Sequence, residues 1–181
     1  MQVDHIEPAE QHRRAAALIR KRRFAEAARI YEVILETSPQ DAVALINLGT
    51  FLVQQGEPVA GLVLLDRALA QGSTDPNAWN SHGSALKALG RQEEALLSFE
   101  RAIGLKPDFA SAHGNRGNLL RDIKRTEEAL ASYARAIELE PERATVRLHR
   151  ASLLNNASTF IHHPASSLLS LSIYPFLTTA N

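Results

Sequence analysis

The chain contains no cysteine among its 181 residues. This absence excludes disulfide bonds, thiolate nucleophiles and zinc sites with cysteine ligands, and it is compatible with a reducing compartment, so we expect a cytoplasmic protein. The chain also has no net charge, because its 20 Lys and Arg residues are balanced by 20 Asp and Glu residues. A balanced chain has no overall field that draws it toward nucleic acid or an anionic membrane, and we expect neither as a partner.

Long apolar runs and catalytic motifs are absent as well. The sequence has no run of about 18 apolar residues, so we expect no membrane-spanning helix, and its first residues lack the apolar core of a signal peptide. It has no glycine-rich phosphate loop, no nucleophile elbow and no cluster of His, Asp and Glu at metal-ligand spacing. We therefore predict no catalytic residue, no metal and no cofactor, and a protein that is not an enzyme.

The chain repeats itself instead. Residues 93–107 read EEALLSFERAIGLKP, and 34 positions later residues 127–141 read EEALASYARAIELEP. A shift by this period aligns four units and the start of a fifth, and the period of a repeat indicates its architecture. The units are 8–41, 42–75, 76–109, 110–143 and the partial unit 144–154.

Each unit carries two apolar stretches at helical spacing, such as Ala95, Phe99 and Ala102 in the third unit. Small residues stand where two helices must approach closely, and large ones such as Phe99 fill the space between them. The sequence therefore predicts an all-α fold built from helix–turn–helix units. The turns inside the second, third and fourth units are expected near residues 55–57, 89–91 and 123–125.

Glycine, proline and aspartate mark the expected helix ends. Gly56 and Gly90 stand in two of the predicted turns. Asp41 and Asp108 are predicted N-caps of the units that follow them. Three prolines are expected to end the second helix of their units, since proline cannot continue a helix interior; these are Pro39, Pro107 and Pro141.

These positions resemble the tetratricopeptide repeat family. The third unit matches the family motif at Trp79, Gly83, Ala95, Phe99 and Pro107. The resemblance implies a right-handed superhelical solenoid whose stacked units bury their apolar faces jointly. His82 and Arg116 depart from the motif, which usually has leucine there, and this leaves the local packing of both positions open.

The resemblance also implies a binding site, because the first helix of each unit lines a concave groove in this family. The sixth and ninth residues of these helices share one face. In the second to fourth units they are Asn47, Thr50, Ser81, Ser84, Asn115 and Asn118. Asparagine both donates to and accepts from a peptide backbone. We expect a protein or peptide partner held in this groove through its main chain, although the same residues also fit a polar face that contacts only solvent.

Two functions fit this picture. The first is a protein–protein interaction scaffold. The repeats also resemble those of bacterial SPINDLY-like proteins and O-linked N-acetylglucosamine transferases, whose asparagine ladder Asn47 and Asn115 match and Ser81 does not. This resemblance gives the alternative, a substrate-recruiting N-terminal arm of a truncated glycosyltransferase or sulfotransferase. The lysine of the family's chaperone-tail clamp is missing, so we do not expect that clamp.

The two ends of the chain fall outside the repeats. Residues 1–7 are an N-terminal extension, and residues 155–181 are a divergent tail without Lys, Arg, Asp or Glu. Residues 164–172 of this tail are either a short capping helix or part of a truncation scar. The densest basic run, Arg20 to Arg23, is either a solvated helix end or a contact for an acidic or phosphate-bearing partner.

Overall fold

The computed structural model describes residues 7–142 and 144–161 of the chain. This part consists of nine α-helices and contains no strand, which confirms the predicted all-α, right-handed superhelical solenoid. Each helix packs against its neighbours in the chain. The helices are α1 (Pro8–Arg20), α2 (Phe24–Thr37), α3 (Ala42–Gln54), α4 (Pro58–Ala70), α5 (Pro76–Ala88), α6 (Gln92–Leu105), α7 (Ala110–Asp122), α8 (Thr126–Leu139) and α9 (Ala144–Ile161).

The turns inside the units follow the repeat period. The helices α1, α3, α5, α7 and α9 begin at residues 8, 42, 76, 110 and 144, an interval of 34 residues. The three predicted breaks are confirmed, and a fourth turn lies at residues 21–23. One residue in each turn has a positive φ: Arg22 (59°), Gly56 (85°), Gly90 (75°) and Lys124 (66°). Two units thus place a long basic side chain where backbone geometry favours glycine.

The helix ends confirm some of the predicted signals and correct one. The helices α2, α6 and α8 each end two residues before a proline, as predicted. Asp41 caps α3, because its carboxylate accepts a backbone N–H of the first turn at 2.8 Å. The prediction for Asp108 is wrong. The cap position falls one residue before each unit and is occupied by Phe109 at α7 and by Asp75 at α5, where the carboxylate accepts a backbone N–H.

In the second, third and fourth units one large side chain of the second helix lies against a glycine of the first helix. Phe99 is 0% exposed, and a Cβ added at Gly83 would lie 2.8 Å from two carbon atoms of its ring. Tyr133 lies in the same way against Gly117, where the distance would be 2.6 Å. These side chains join a core that extends from Leu62 through α7 and α8 into α9. The small residues of the repeat therefore permit the close approach of the paired helices.

The two departures from the leucine pattern are polar links between units. His82 Nδ1 lies 2.9 Å from Ser98 Oγ, and its Nε2 lies 2.9 Å from Asp66 Oδ1. Arg116 repeats this arrangement one unit later, where it donates to a serine hydroxyl of α8 at 2.8 Å and to Glu100 Oε1 at 3.2 Å. Each side chain thus connects the second helix of its own unit to that of the preceding unit.

The fifth unit consists of one helix in the described part of the chain. Helix α9 continues past residue 154, where the repeat pattern ends, to Ile161. The backbone is therefore helical across the predicted boundary between the repeats and the tail, and that boundary stays a prediction. The predicted capping helix at 164–172 lies outside the described residues, as do residues 1–6 of the N-terminal extension.

Candidate functional site

The inner face of the solenoid is formed by the first helices of the units. Successive first helices contact one another, α3 with α5, α5 with α7 and α7 with α9. Side chains that project from these helices away from α4, α6 and α8 therefore share one surface. This surface is the concave face on which the binding site is expected.

A polar pocket of about 280 Å³ opens on this face. We call it the groove pocket. It contains four of the six predicted site residues, and none of its lining residues is charged. The lining consists of Thr50, Val53, Gln54, Asn80, Ser81, Ser84, Ser111 and Asn115.

Hydrogen bonds hold the three helices together at this pocket. Thr50 Oγ1 donates to Ser81 Oγ at 2.8 Å and so joins α3 to α5. Asn115 Nδ2 donates to Asn80 Oδ1 at 3.0 Å and joins α5 to α7. Ser84 Oγ donates to the main-chain carbonyl of Asn80 at 3.0 Å. The floor of the pocket is therefore a set of side chains fixed to one another across units.

The pair of asparagines keeps hydrogen-bonding capacity for a ligand. Two side-chain amides that share one hydrogen bond still hold one free NH₂ donor and one free carbonyl acceptor. Within the described residues, the Asn80 amide nitrogen and the Asn115 amide oxygen have no partner. An uncharged surface with a donor and an acceptor side by side can pair with both polar groups of a peptide bond.

The other two predicted residues lie elsewhere. Asn47 Nδ2 donates to the Val43 carbonyl of its own helix at 2.8 Å. Asn118 Oδ1 accepts the Tyr133 hydroxyl at 2.9 Å and lies 2.7 Å from His149 Nδ1. The Asn118 carbonyl is therefore already engaged at the junction of α7, α8 and α9.

The protonation states of His149 and Tyr133 at the junction of α7, α8 and α9 are consistent with their hydrogen bonds to Asn118. Burial lowers the pKa of His149, and the nearby positive charges of Arg121 and Lys87 lower it further. The neutral ring that results can donate from Nδ1 to the Asn118 carbonyl. Burial also raises the pKa of Tyr133, which keeps its hydroxyl a donor.

Sequence reasoning missed half of the groove pocket. Asn80 and Ser111 are the fifth and second residues of their units, whereas the predicted site contains only sixth and ninth positions. Val53 and Gln54 lie one turn beyond the ninth position. Because the pocket lies between adjacent helices, residues flanking the central stripe also line it. The helical spacing of three or four residues from the predicted positions was the signal that could have found them.

A second, smaller pocket adjoins the groove pocket. It measures about 180 Å³ and lies between the first and second units. We call it the first-junction pocket. Asn47 borders it, and Thr50 and Gln54 line both pockets. Its lining consists of Ile19, Phe24, Ala27, Ala28, Tyr31, Asn47, Thr50, Phe51 and Gln54.

The described residues contain neither a membrane-spanning helix nor a cluster of metal-ligating side chains. None of the helices placed there has the length and apolar character needed to cross a bilayer. Across 7–142 and 144–161, three or more His, Cys, Asp or Glu side chains are nowhere grouped to hold a metal ion.

Family models match most of the repeats. A model described as "Tetratricopeptide repeat" matches residues 9–85, one described as "TPR repeat" matches residues 83–122, and a second tetratricopeptide repeat model matches residues 110–143. Among curated proteins, none matches the sequence significantly.

Solved structures with the same fold include three of interest. The pilF protein of Pseudomonas aeruginosa is 21% identical with a TM-score of 0.71, over 84% of this chain and 70% of that one. The first TPR of Spaghetti (RPAP3), bound to the HSP90 peptide SRMEEVD, is 21% identical with a TM-score of 0.62, over 66% and 97%. YrrB, "a TPR protein with an unusual peptide-binding site", is 22% identical with a TM-score of 0.62, over 80% and 74%.

Proposed function

Because the chain belongs to the tetratricopeptide repeat family, we propose that it is a scaffold that holds an extended segment of a partner protein in the groove pocket. One observation carries this proposal. The Asn80–Asn115 pair presents a free donor and a free acceptor in an uncharged pocket built from three units. This chemistry matches a peptide main chain more closely than it matches a charged ligand.

The fold is used for peptide binding elsewhere. The RPAP3 structure contains an HSP90 peptide, and YrrB is described by its peptide-binding site. At 21% and 22% identity these likenesses show the shared fold. They support a peptide or protein partner in general, while the residues that contact it here are inferred from the groove pocket.

The proposed contact is a pair of hydrogen bonds to one peptide unit. The Asn80 NH₂ group donates to a peptide carbonyl, and the Asn115 carbonyl accepts from a peptide N–H. Such bonds require an extended backbone and are independent of side-chain identity. A proline placed at this peptide unit removes the N–H and should weaken binding more than exchange of the partner's charges.

A scaffold without catalysis is the function proposed. The alternative interpretation, a recruiting arm of a glycosyltransferase or sulfotransferase, has no support from the family models or from the structures named above. A cytoplasmic location stays part of the proposal. Fractionation of cells that express the tagged full-length chain would test it.

The test replaces both asparagines. The full chain serves as bait in a pull-down, and calorimetry measures the affinity of the recovered partner for the wild type and for Asn80→Ala/Asn115→Ala. Each lost neutral hydrogen bond costs about 0.5–1.5 kcal/mol, so we expect affinity to fall about ten-fold or more.

A matched control exists away from the groove pocket. Gln40 and Gln71 form another pair of side-chain amides, joined at 3.1 Å and exposed. The variant Gln40→Ala/Gln71→Ala should bind the partner like the wild type. If the folded asparagine double variant kept full affinity, the amides of the groove pocket would contact only solvent and the proposal would be wrong.

A further inference from the structure

We propose that the first-junction pocket anchors one large apolar side chain of the bound peptide, and that acidic residues flank this anchor. The inference rests on the peptide-binding function proposed above and specifies the chemistry of the partner. Three observations carry it: the size and lining of the pocket, a tyrosine hydroxyl without a partner, and unpaired cations at its rim.

The size and lining of the pocket suit one side chain. Its volume of about 180 Å³ is below the lower limit of about 300 Å³ for small-molecule sites. Apolar and aromatic side chains predominate in the lining, and none of the lining residues is charged. Phe24 at its edge is 42% exposed. Leu, Ile, Met or Phe on an extended peptide would cover this surface.

The repeat register explains why the pocket is open. Ala28 is the twenty-first residue of the first unit, and Leu62 and Leu96 are its equivalents in the next two. Both leucines are buried and belong to the core. The alanine leaves unfilled the space that a leucine side chain takes in the later units. A ligand side chain can therefore take the position that the chain itself fills at the following junctions.

The Tyr31 hydroxyl is the second observation. The Tyr31 side chain is only 4% exposed and lines the pocket. Its hydroxyl is not fully shielded from solvent and has no hydrogen-bond partner in the part of the chain that the structure describes. Tyr133, its equivalent three units later, donates to Asn118. Ala16 stands at the position of Asn118, so the first unit lacks this acceptor.

A ligand can supply the missing acceptor. The hydroxyl is a free donor at the wall of the pocket, so an incoming carbonyl can accept from it. Burial raises the pKa of Tyr31 and the charge of Asp41 raises it further, so the hydroxyl keeps its proton. We assign the acceptor to the main-chain carbonyl beside the apolar anchor.

The charges at the rim indicate acidic flanking residues. The turn 21–23 connects Ile19 and Phe24, both of which line the pocket. Arg20, Lys21 and Arg22 are exposed and form no ion pair with any residue described. Three free cations beside an uncharged pocket favour a peptide with Asp or Glu next to its apolar residue. The pocket shares Thr50 and Gln54 with the groove pocket, so one extended peptide can occupy both.

The experiment first selects peptides that bind the wild type and then tests them against a variant whose pocket is filled by a larger side chain. A displayed library of random peptides, about eight residues long, is selected against the full-length wild type, and anisotropy measures the affinity of the enriched peptides. They should share one large apolar residue with acidic neighbours. Ala28→Leu, which copies the later units, should weaken them about ten-fold or more, the range expected when one large apolar side chain loses its site.

Two further variants make the result specific. Ala25→Leu is the same substitution on an exposed position of the same helix and should leave binding unchanged. Tyr31→Phe removes the free hydroxyl and should weaken binding about two- to ten-fold, as for one lost hydrogen bond. Both variants should unfold at the same denaturant concentration as the wild type, because neither removes a contact within the protein.

The outcomes separate this inference from the proposed function. Peptides that lose affinity for Asn80→Ala/Asn115→Ala but bind Ala28→Leu normally would overturn the anchor and leave the groove function standing. Enriched peptides without an apolar residue, or with basic neighbours, would also overturn it. Peptides insensitive to both variants, or no enrichment at all, would refute the groove function as well.

Discussion

Replacing Phe99 by alanine tests whether its buried ring stabilises the packing of the two helices of the third unit. The Phe99 side chain is fully buried and lies against Gly83. Ala95 and Ala102, one turn away on the same helix, are also small and buried, so their side chains do not fill the space that the ring leaves. We therefore expect Phe99→Ala to lower the free energy of unfolding by about 3–5 kcal/mol, the usual range for an emptied aromatic site.

A second substitution makes this prediction stricter. A methyl group added at Gly83 would lie 2.8 Å from the Phe99 ring and 3.1 Å from the Ala95 carbonyl, so Gly83→Ala alone should cost about 1–3 kcal/mol through overpacking. In the Phe99→Ala background the ring contact is gone and the methyl group partly fills the cavity. The double variant should therefore be more stable than the sum of the two single costs implies.

Urea unfolding gives the three free energies, and hydrogen exchange shows where the loss falls. Because stability in a solenoid is roughly a sum over neighbouring interfaces, protection should decrease mainly in the third and fourth units. Leu97→Ala is the control, since Leu97 lies on the same helix but is 66% exposed. A cost for Phe99→Ala below about 1 kcal/mol, additive single costs, or an even loss of protection across all units would refute the reasoning.

Two further predictions concern the turns and the last junction. Arg22→Gly and Lys124→Gly relieve a positive φ and should each raise stability by about 1 kcal/mol in urea unfolding; an unchanged midpoint would count against strain in these turns. The pKa of His149 is lowered from 6.5, so the unfolded chain takes up a proton that the folded chain resists as pH falls below 6.5. Stability should decline in that range, and His149→Gln should remove this part of the pH dependence in unfolding curves recorded between about pH 5 and 8.

The order of the helices could be predicted from the sequence because the period of the repeat determines it. Every turn inside a unit lies where the register predicts, and the helices before the three prolines end where proline requires. The failure at Asp108 has the same physical origin. The chain keeps the register of 34 residues, so the cap position falls on Phe109 even though the neighbouring aspartate is the better capping residue.

The residues of the candidate site could be predicted from the sequence only in part. Four of the residues at positions six and nine line the groove pocket, because helical spacing determines which side chains share a face. That they contact a peptide stays a prediction. The same rule could not show that Asn118 accepts the Tyr133 hydroxyl or that Asn115 bonds to Asn80, a residue one unit away. These pairings depend on how adjacent helices approach one another.

The sequence by itself determined the all-α fold and the order of the helices, since both follow from a period that recurs along the chain. Only the tertiary structure decided which side-chain amides keep an unpaired donor or acceptor, and at which junction between units a pocket remains. Tyr31 and Tyr133 occupy the same place in the repeat, yet one hydroxyl is paired and the other is not. Periodicity records which side of a helix is buried, whereas the partner of a polar group, or a gap such as that at Ala28, depends on side chains from different units that meet only in the folded chain.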